Sequence, residues 1–436
     1  MSRELAIRAL SLYVPIAMAV LLWLLRKHPR RTGAATLLSL LWALPTLLVL
    51  QRLNQQAHWW TFHTAGPTLR DLPVELYLGW TVLWSAVPVL AFRRAWIAAL
   101  AMLALDLAIM PLCTPVVALG PHWLYGELTA ALTILLPAML LAQWTRTVQH
   151  TGLRATMQLL IAAGIFLYLP PEIVFALRGG TWLWHSTMCW TLQTIIVLAI
   201  PGLSAVQEFA ERGQGTPIPY DPPQSLVTSG LYRYIANPMQ LSCTMVLFLW
   251  GYLLGSIWIA ACGLISLAYS AGLANWDEHA DLAQRFGAPW RSYRTQVKDW
   301  LPRWSPYIDQ PATIYIAQTC GPCSELERWL RARNPKGLAI LPAEHYPGGL
   351  LRVRYASDGT YQADGVEALA RSLEHLNFVW AFLGAGMRLP VIRVVLQQIA
   401  DAIGFGERPI GGETVCRPAK QNIRRRRPTG WFGAFG

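Results

Sequence analysis

Residues 229–250 read SGLYRYIANPMQLSCTMVLFLW, and residues 276–304 read WDEHADLAQRFGAPWRSYRTQVKDWLPRW. The first segment opens on a turn at Gly230 and runs through polar and aromatic residues to Asn237-Pro238, where an apolar run begins. That run is interrupted near Gly251 to Ser256 and ends in the second segment, which is charged and amphipathic and holds Asp277, Glu278, Phe286-Gly287, Trp290, Tyr293 and Pro302. A helical hairpin returns the chain to the membrane face it left. The two polar segments can therefore meet at one face, as a ligand site requires.

The rest of the chain agrees with a bilayer as solvent. Of 436 residues, 54% are hydrophobic and 14% charged, with mean hydropathy +0.33; a soluble protein carries about 25% charged residues. The 21 tryptophans fit interfacial belts. Stretches long enough to span fall near 5–25, 33–52, 75–92, 95–117, 126–143, 155–177 and 182–203, and the hairpin at 238–254 and 256–274 makes nine. Arg26, Lys27, Arg30 and Arg31 follow the first stretch, so it is not a cleaved leader and its C-terminal end is cytoplasmic. Alternation then puts Arg93-Arg94, Arg146, Arg154 and the 204–237 segment inside, giving N-terminus out and C-terminus in. The net charge of +12 sits in loops and tail, where orientation and anionic lipid account for it without nucleic acid.

With these residues in place, the central stretch resembles the integral-membrane methyltransferases of the isoprenylcysteine carboxyl methyltransferase and phospholipid methyltransferase type. Gly230-Leu231-Tyr232-Arg233, Pro238-Met239, Glu278, Leu282, Phe286-Gly287, Tyr293 and Pro302 follow that pattern in order and spacing over about 220–302. Asn237 stands where the family has His, and His279 at the second position of its Glu pair. The resemblance implies an S-adenosylmethionine-dependent methyltransferase acting on a lipidic or membrane-associated acceptor. Its cofactor site is expected at Gly230, Tyr232, Asn237, Pro238, Met239, Glu278, Trp290 and Tyr293. Glu278 would take the cofactor's amino group, and Arg233 or backbone amides near Asn237 its carboxylate. Tyr232, Met239 and Trp290 would form the adenine wall.

From about 311 the pattern changes to ATIYIAQT, apolar and β-branched, then CGPC, then the amphipathic SELERWLRAR. A Cys pair between strand and helix is a dithiol arrangement, in which the helix N-terminus favours thiolate at the first Cys. LLRVRYASDGTYQAD reads as a hairpin turning at Asp358-Gly359, and VEALARSLEHL as a helix. Over about 312–408 this resembles the DCC-type thiol–disulfide oxidoreductases, which implies a thioredoxin-like fold with Cys320 and Cys323 reactive. Ala317-Gln318 occupy that family's Asp-Gly positions. A zinc site would need a second ligand pair, and only Cys416 and His345 are at hand.

The expected architecture is mainly α: a polytopic helical bundle with a small C-terminal α/β thioredoxin-like cytoplasmic domain, in a bacterial inner membrane. Its parts are 1–203 (seven helices), 204–302 (methyltransferase-like core with hairpin 238–274), 303–408 (CGPC domain) and a basic disordered tail, 409–436. In the tail, Arg424 to Arg427 would meet anionic lipid. The apolar run at 377–397, which carries Arg388 and Arg393, reads as lying on the membrane. Residues 207–229 read as a Pro-rich cytoplasmic connector. Cys113, Cys189, Cys243 and Cys262 read as apolar fillers, and His58 to His63 as an interfacial aromatic belt. Asp106 and Glu172, inside spans, demand a reason. Two other classes compete with methyl transfer: a membrane thiol–disulfide oxidoreductase using Cys320 and Cys323, and a non-catalytic transporter or scaffold.

Overall fold

The computed structural model describes residues 3–29, 31–63, 66–179, 182, 188–217, 223–269, 272, 275–357 and 361–410, the side chains of 188, 269 and 275–280 excepted. The chain forms two compact units, Met1–Trp184 with Thr216–Pro222, and His185–Gly215 with Pro223–Gly436. The protein is mainly helical.

Seven helices among the described residues are long and apolar enough to cross a membrane: α1 Arg3–Leu25, α2 Thr32–Ala57, α3 Val74–Ala91, α4 Ala95–Cys113, α5 Trp123–Thr147, α6 Thr151–Arg178 and α7 Cys189–Glu211. They match the seven N-terminal apolar stretches within a few residues, except that the seventh begins later and continues to Glu211. Gln207 to Glu211 are therefore the last turn of a helix and not the start of a connector. The hairpin helices α8 Pro238–Leu253 and α9 Ile257–Tyr269 have 16 and 13 residues. At 1.5 Å per residue they rise about 24 and 20 Å, short of the ~30 Å hydrocarbon core. By length the count is seven, where the composition suggested nine.

The first unit holds α1 to α6. Its core gathers Leu47, Leu48, Leu76, Ile134 and Leu135 at the helix contacts. Lipid-type exposure falls elsewhere: Tyr13, Leu24 and Leu25 on α1 stand in the open. Close helix approach uses glycine, as expected where helices pack by contact rather than by expelling water. A Cβ on Gly79 would lie 1.8 Å from the Ser11 carbonyl oxygen. Arg26 and Arg146 reach the carbonyls of Ala91 and Val89 at 2.5 and 2.8 Å, capping the C-terminal end of α3. At the other end of this unit, β1 Trp60–Phe62 pairs antiparallel with β4 Val117–Leu119, and β2 Thr68–Leu69 with β3 Leu72–Pro73.

The second unit begins with α7 and continues through the α8–α9 hairpin, where Gly251 lets α8 approach the backbone of Ala260. Helix α10, Asn275–Gln296, is kinked at Gly287 (φ 58°, ψ −124°), a conformation open chiefly to glycine. Then come β5 Ala312–Ile316, α11 Gly321–Arg331, β6 Leu338–Pro342, β7 Arg354–Ser357, β8 Tyr361–Asp364 and α12 Val366–Leu373. The sheet order is β6-β5-β7-β8; β5 and β6 are parallel and the other pairs antiparallel. Alternation in β5 buries Ala312, Ile314 and Ile316 beneath the helices. The Asp358-Gly359 turn expected between β7 and β8 lies outside the described residues, as does the basic tail from 411 on with Cys416; Ile410, at the start of the expected tail, is bridged to Leu350. The 377–397 run forms two helices, α13 Phe378–Arg388 and α14 Pro390–Ala400, with a 92° bend at Leu389-Pro390.

Candidate functional site

The two polar segments around the hairpin do come together. The Tyr293 hydroxyl donates to the Tyr232 carbonyl at 2.8 Å. The Ala236 amide donates to the Lys298 carbonyl at 2.9 Å, and the Asn237 amide to that of Asp299 at 3.3 Å. Trp290, Tyr293, Val297 and Tyr307 pack on Ala236, while Tyr232 packs with Ala205, Val227, Phe209 and Met239. These residues lie about sixty positions apart across two apolar helices; backbone ladders and aromatic packing, not covalent proximity, join them.

Apart from Glu278, each expected site residue has a definite place. Gly230 has φ +65°, and its amide donates to Glu374 Oε2 at 2.9 Å. Tyr232 is buried against Phe209 with ring centroids 5.4 Å apart. Asn237 occupies the N-cap position of α8 with Pro238 first in the helix, but its side chain does not cap. Instead its Nδ2 donates to Asp299 Oδ1 at 3.0 Å. Met239 joins the Tyr232 cluster. Arg233 is buried; Nη1 donates to the Tyr307 carbonyl at 3.3 Å, and Nε lies 3.8 Å from Glu374 Oε2. Glu278 and His279 belong to α10, but their side chains lie outside the described residues.

Sequence reading missed what anchors this segment. Glu208, at the end of α7, accepts from Ser229 Oγ at 2.6 Å and from Arg371 Nη1 at 2.5 Å, and also from Arg388 Nη1. Glu374 binds Arg371, Arg388 and Arg233 besides the Gly230 amide. The two acids and three arginines are almost wholly buried. The start of the motif is thus tied to α12 and α13 by a buried cluster of acids and arginines. His375 beside it is held neutral: burial, with the nearby Arg233 charge, pushes it down to about 3. One ring nitrogen faces the Lys336 carbonyl at 2.7 Å and the other the Tyr355 hydroxyl at 2.9 Å.

For S-adenosylmethionine the fit is partial. Of the residues expected to face its adenine, Tyr232 and Met239 pack in one cluster and Trp290 in another. The donors expected for its carboxylate already have partners within the chain: Arg233 in Glu374 and Tyr307, the amides of Ala236 and Asn237 in Lys298 and Asp299.

The Cys pair has a more complete surrounding. Cys320 is the N-cap residue of α11, in extended conformation after β5, and Cys323 lies in the first turn of the helix. Cys320 is half-buried and Cys323 buried, both as free thiols. Burial, and the neighbouring Cys320 next, push the Cys323 thiol up to about 12. The loop before the pair is fixed by Glu344, whose Oε1 accepts from the amides of Gln318 and Thr319 at 2.9 and 3.2 Å. Burial works to raise the Glu344 carboxyl, yet these donors hold it below the usual range. Beside the two sulfurs opens a cavity of about 320 Å³. Leu326, Leu369, Ile403 and Phe405 make its apolar wall, with Arg352 and Arg408 also lining it. Arg352 is paired with Asp401.

The carboxyls inside the long apolar helices divide into two kinds. Glu172 is answered by Arg70, and its Oε1 also accepts from Trp182 at 2.8 Å. Asp106 instead shares a cavity with Glu127, which the sequence did not single out. Trp60 is buried and donates to Glu127 at 3.1 Å, so it does more than form a belt, while His58 and His63 are exposed. Among the described residues no three His, Cys, Asp or Glu side chains gather as a metal would need. Comparison of the chain with models of protein families, with curated proteins and with solved structures finds no match.

Proposed function

We propose that the second unit carries out thiol–disulfide exchange at Cys320 and Cys323, as the cytoplasmic thioredoxin-like domain of a multi-pass membrane protein. One observation carries this reading: the two thiols are unequal, with Cys320 accessible at the head of a helix and Cys323 buried and strongly protonated. In the exchange, the Cys320 thiolate attacks one sulfur of a substrate disulfide, whose other sulfur leaves as thiolate. Cys323 then loses its proton and attacks Cys320 Sγ, releasing the second substrate thiol. The protein becomes the disulfide and the substrate has gained two electrons. The sheet order β6-β5-β7-β8 and the strand–CGPC–helix junction support a thioredoxin-like fold. The apolar cavity favours a substrate with a hydrophobic group beside its sulfur. Reaction of the reduced full-length protein with an aromatic disulfide reporter tests this. Cys320→Ser should abolish rapid reaction, and Cys323→Ser should stop at a mixed disulfide. Equal, slow reaction in all three proteins would refute it.

A second reading, S-adenosylmethionine-dependent methyl transfer to a lipidic acceptor, is supported by the closure of the 230–239 segment on the 290–299 segment. The cofactor supplies an activated methyl group, so the protein's work is positioning. Glu278 would bind the amino group, and Tyr232, Met239 and Trp290 the base. The shorter hairpin helices would count as two further passes, nine in all. Arg26 and Arg146, together at the C-terminal end of α3, support a cytoplasmic location for that end and hence N-out, C-in. Incorporation of labelled methyl into the lipid extract of membranes containing the protein tests it; none above a Glu278→Ala background would sink it.

A further inference from the structure

We propose that the first unit contains a proton-binding site, in which the carboxyls of Asp106 and Glu127 share an exchangeable proton inside the membrane-spanning bundle. Asp106 is on α4 and Glu127 on α5, 7% and 2% exposed. They line one cavity of about 40 Å³ with Gln51, Trp60, Trp84 and Met110, and are close enough for one carboxyl to hydrogen-bond to the other. Two carboxylates could not keep that contact: like charges at this range in a medium of low polarity leave at least one group protonated.

The partners present do not neutralise the pair. Trp60 Nε1 donates to Glu127 Oε1 at 3.1 Å, which satisfies one oxygen. Asp106 Oδ2 is buried and makes no hydrogen bond. Every element around the pair faces it with neutral groups: Gln51 and the nearby Asn54 from α2, Trp60 from β1, Trp80 and Trp84 from α3, and Met110 and Cys113 from the end of α4. Cys113 is the only other titratable side chain among them. Arg70, whose backbone carbonyl accepts from Gln51 at 2.8 Å, commits its guanidinium to Glu172. Among the described residues no lysine or arginine lines the cavity. By contrast, the Glu172–Arg70 pair is what a purely structural intramembrane carboxylate looks like.

The cavity has room for water, one molecule of which needs roughly 10–15 Å³. A water there, bonded to Asp106 Oδ2, would give the shared proton a neighbour to move to. From the pair a row of amides leads toward the β1–β4 end of the unit. Asn54 Nδ2 donates to Gln51 Oε1 at 3.1 Å and to the Trp60 carbonyl at 2.9 Å, and the Trp60 amide donates to Asn54 Oδ1 at 2.8 Å. Polar groups in that order, within an otherwise apolar bundle, suit proton exchange with the solvent at that end.

The probe is dicyclohexylcarbodiimide, which reacts with protonated carboxyls in apolar surroundings, applied to the purified full chain and mapped by peptide mass spectrometry. At neutral pH, Asp106 or Glu127 should be labelled at least tenfold more than exposed Glu325, and the labelling should fall as the pH is raised. Infrared spectra of the same sample should show a protonated-carboxyl band that shifts promptly in heavy water and is missing from the Asp106→Asn/Glu127→Gln double variant. No label and no band at neutral pH would mean both groups are ionised and would overturn the proposal. Suppression of the label by sodium at constant pH would also overturn it, by making the occupant a metal cation. Should the double variant fail to fold, the label and the heavy-water shift on the unaltered protein still decide.

Discussion

Removing the carboxylate of Glu208 should destabilise the second unit more than any other single change outside its apolar core. Glu208 accepts from Arg371 at 2.5 Å, from Arg388 and from Ser229 at 2.6 Å, with all three charged side chains at 2% exposure or less. Glu208→Gln leaves the buried guanidinium groups of Arg371 and Arg388 sharing Glu374 with Arg233; Arg371 Nη1 reaches it at 3.2 Å, Arg388 Nε at 3.3 Å and Arg233 Nε at 3.8 Å. Breaking a buried pair in this way costs about 3–5 kcal/mol, because the remaining charge is left uncompensated. For a unit of this size that is a fall in the thermal transition on the order of 10 °C. The assay is intrinsic-tryptophan thermal unfolding of the detergent-purified protein, with Glu208→Leu/Arg388→Met as a compensated pair. Since an apolar pair of similar volume is often neutral relative to a buried ion pair, the double variant should recover most of the loss. A Glu208→Gln transition within about 1 °C of the parent would refute the cluster, since such a shift is well under 1 kcal/mol. Because the same carboxylate holds Ser229, the single variant should also loosen the segment that begins the 230–239 motif.

The remaining expectations concern protonation and ligands. His375 titrates at about 3 in the fold against 6.5 ordinarily, so its contribution is complete above 6.5 and is lost as the pH falls from there toward 3. Acidification from pH 7 to 4.5 should cost on the order of 2–3 kcal/mol from this group, and His375→Gln should flatten that part of the stability profile; an unchanged profile would argue against a buried neutral His375. Glu344 has the ordinary carboxylate sign, with stability present at neutral pH and lost as acid protonates it, so Glu344→Gln should loosen the Gln318–Thr319 loop and speed alkylation of Cys320; an unaltered rate would count against that brace. Calorimetry with S-adenosylmethionine should show binding that Glu278→Ala weakens about tenfold or more, roughly 1.4 kcal/mol, and no binding by a folded parent would remove the methyl-transfer reading.

Much of the scaffold could be read from composition because a membrane demands long apolar runs, and α1 to α6 lie where those runs do. The strand–CGPC–helix junction was legible too, since β-branched alternation and a Cys pair are local signals. Apolar content at 238–274 marks a hairpin, but composition alone does not give the described lengths of α8 and α9, 16 and 13 residues. Arg233 looked like a ligand donor because its sequence neighbours are a motif. Its local pattern does not show that it also lies beside Glu374, 141 positions on, in a stretch that reads as an ordinary charged helix end. Glu208 likewise reads as the polar edge of a span, and no local pattern announces partners 163 and 180 positions away. Asp106 announced itself by its cost in a span, whereas Glu127 sits close to an interface, where a carboxylate raises no question until the fold sets it opposite Asp106. Side-chain pairings set by tertiary packing leave little trace in a single sequence.

The measurement that bears most directly on the proposed exchange chemistry is a redox titration of the full-length protein in dithiol/disulfide buffers, read by thiol alkylation and peptide mass spectrometry. The expected result is one two-electron transition, confined to the peptide holding Cys320 and Cys323, with Cys113, Cys189, Cys243 and Cys262 alkylated throughout after denaturation. A pair that stays reduced across the whole range, or a disulfide joining Cys320 to any of those four, would contradict it.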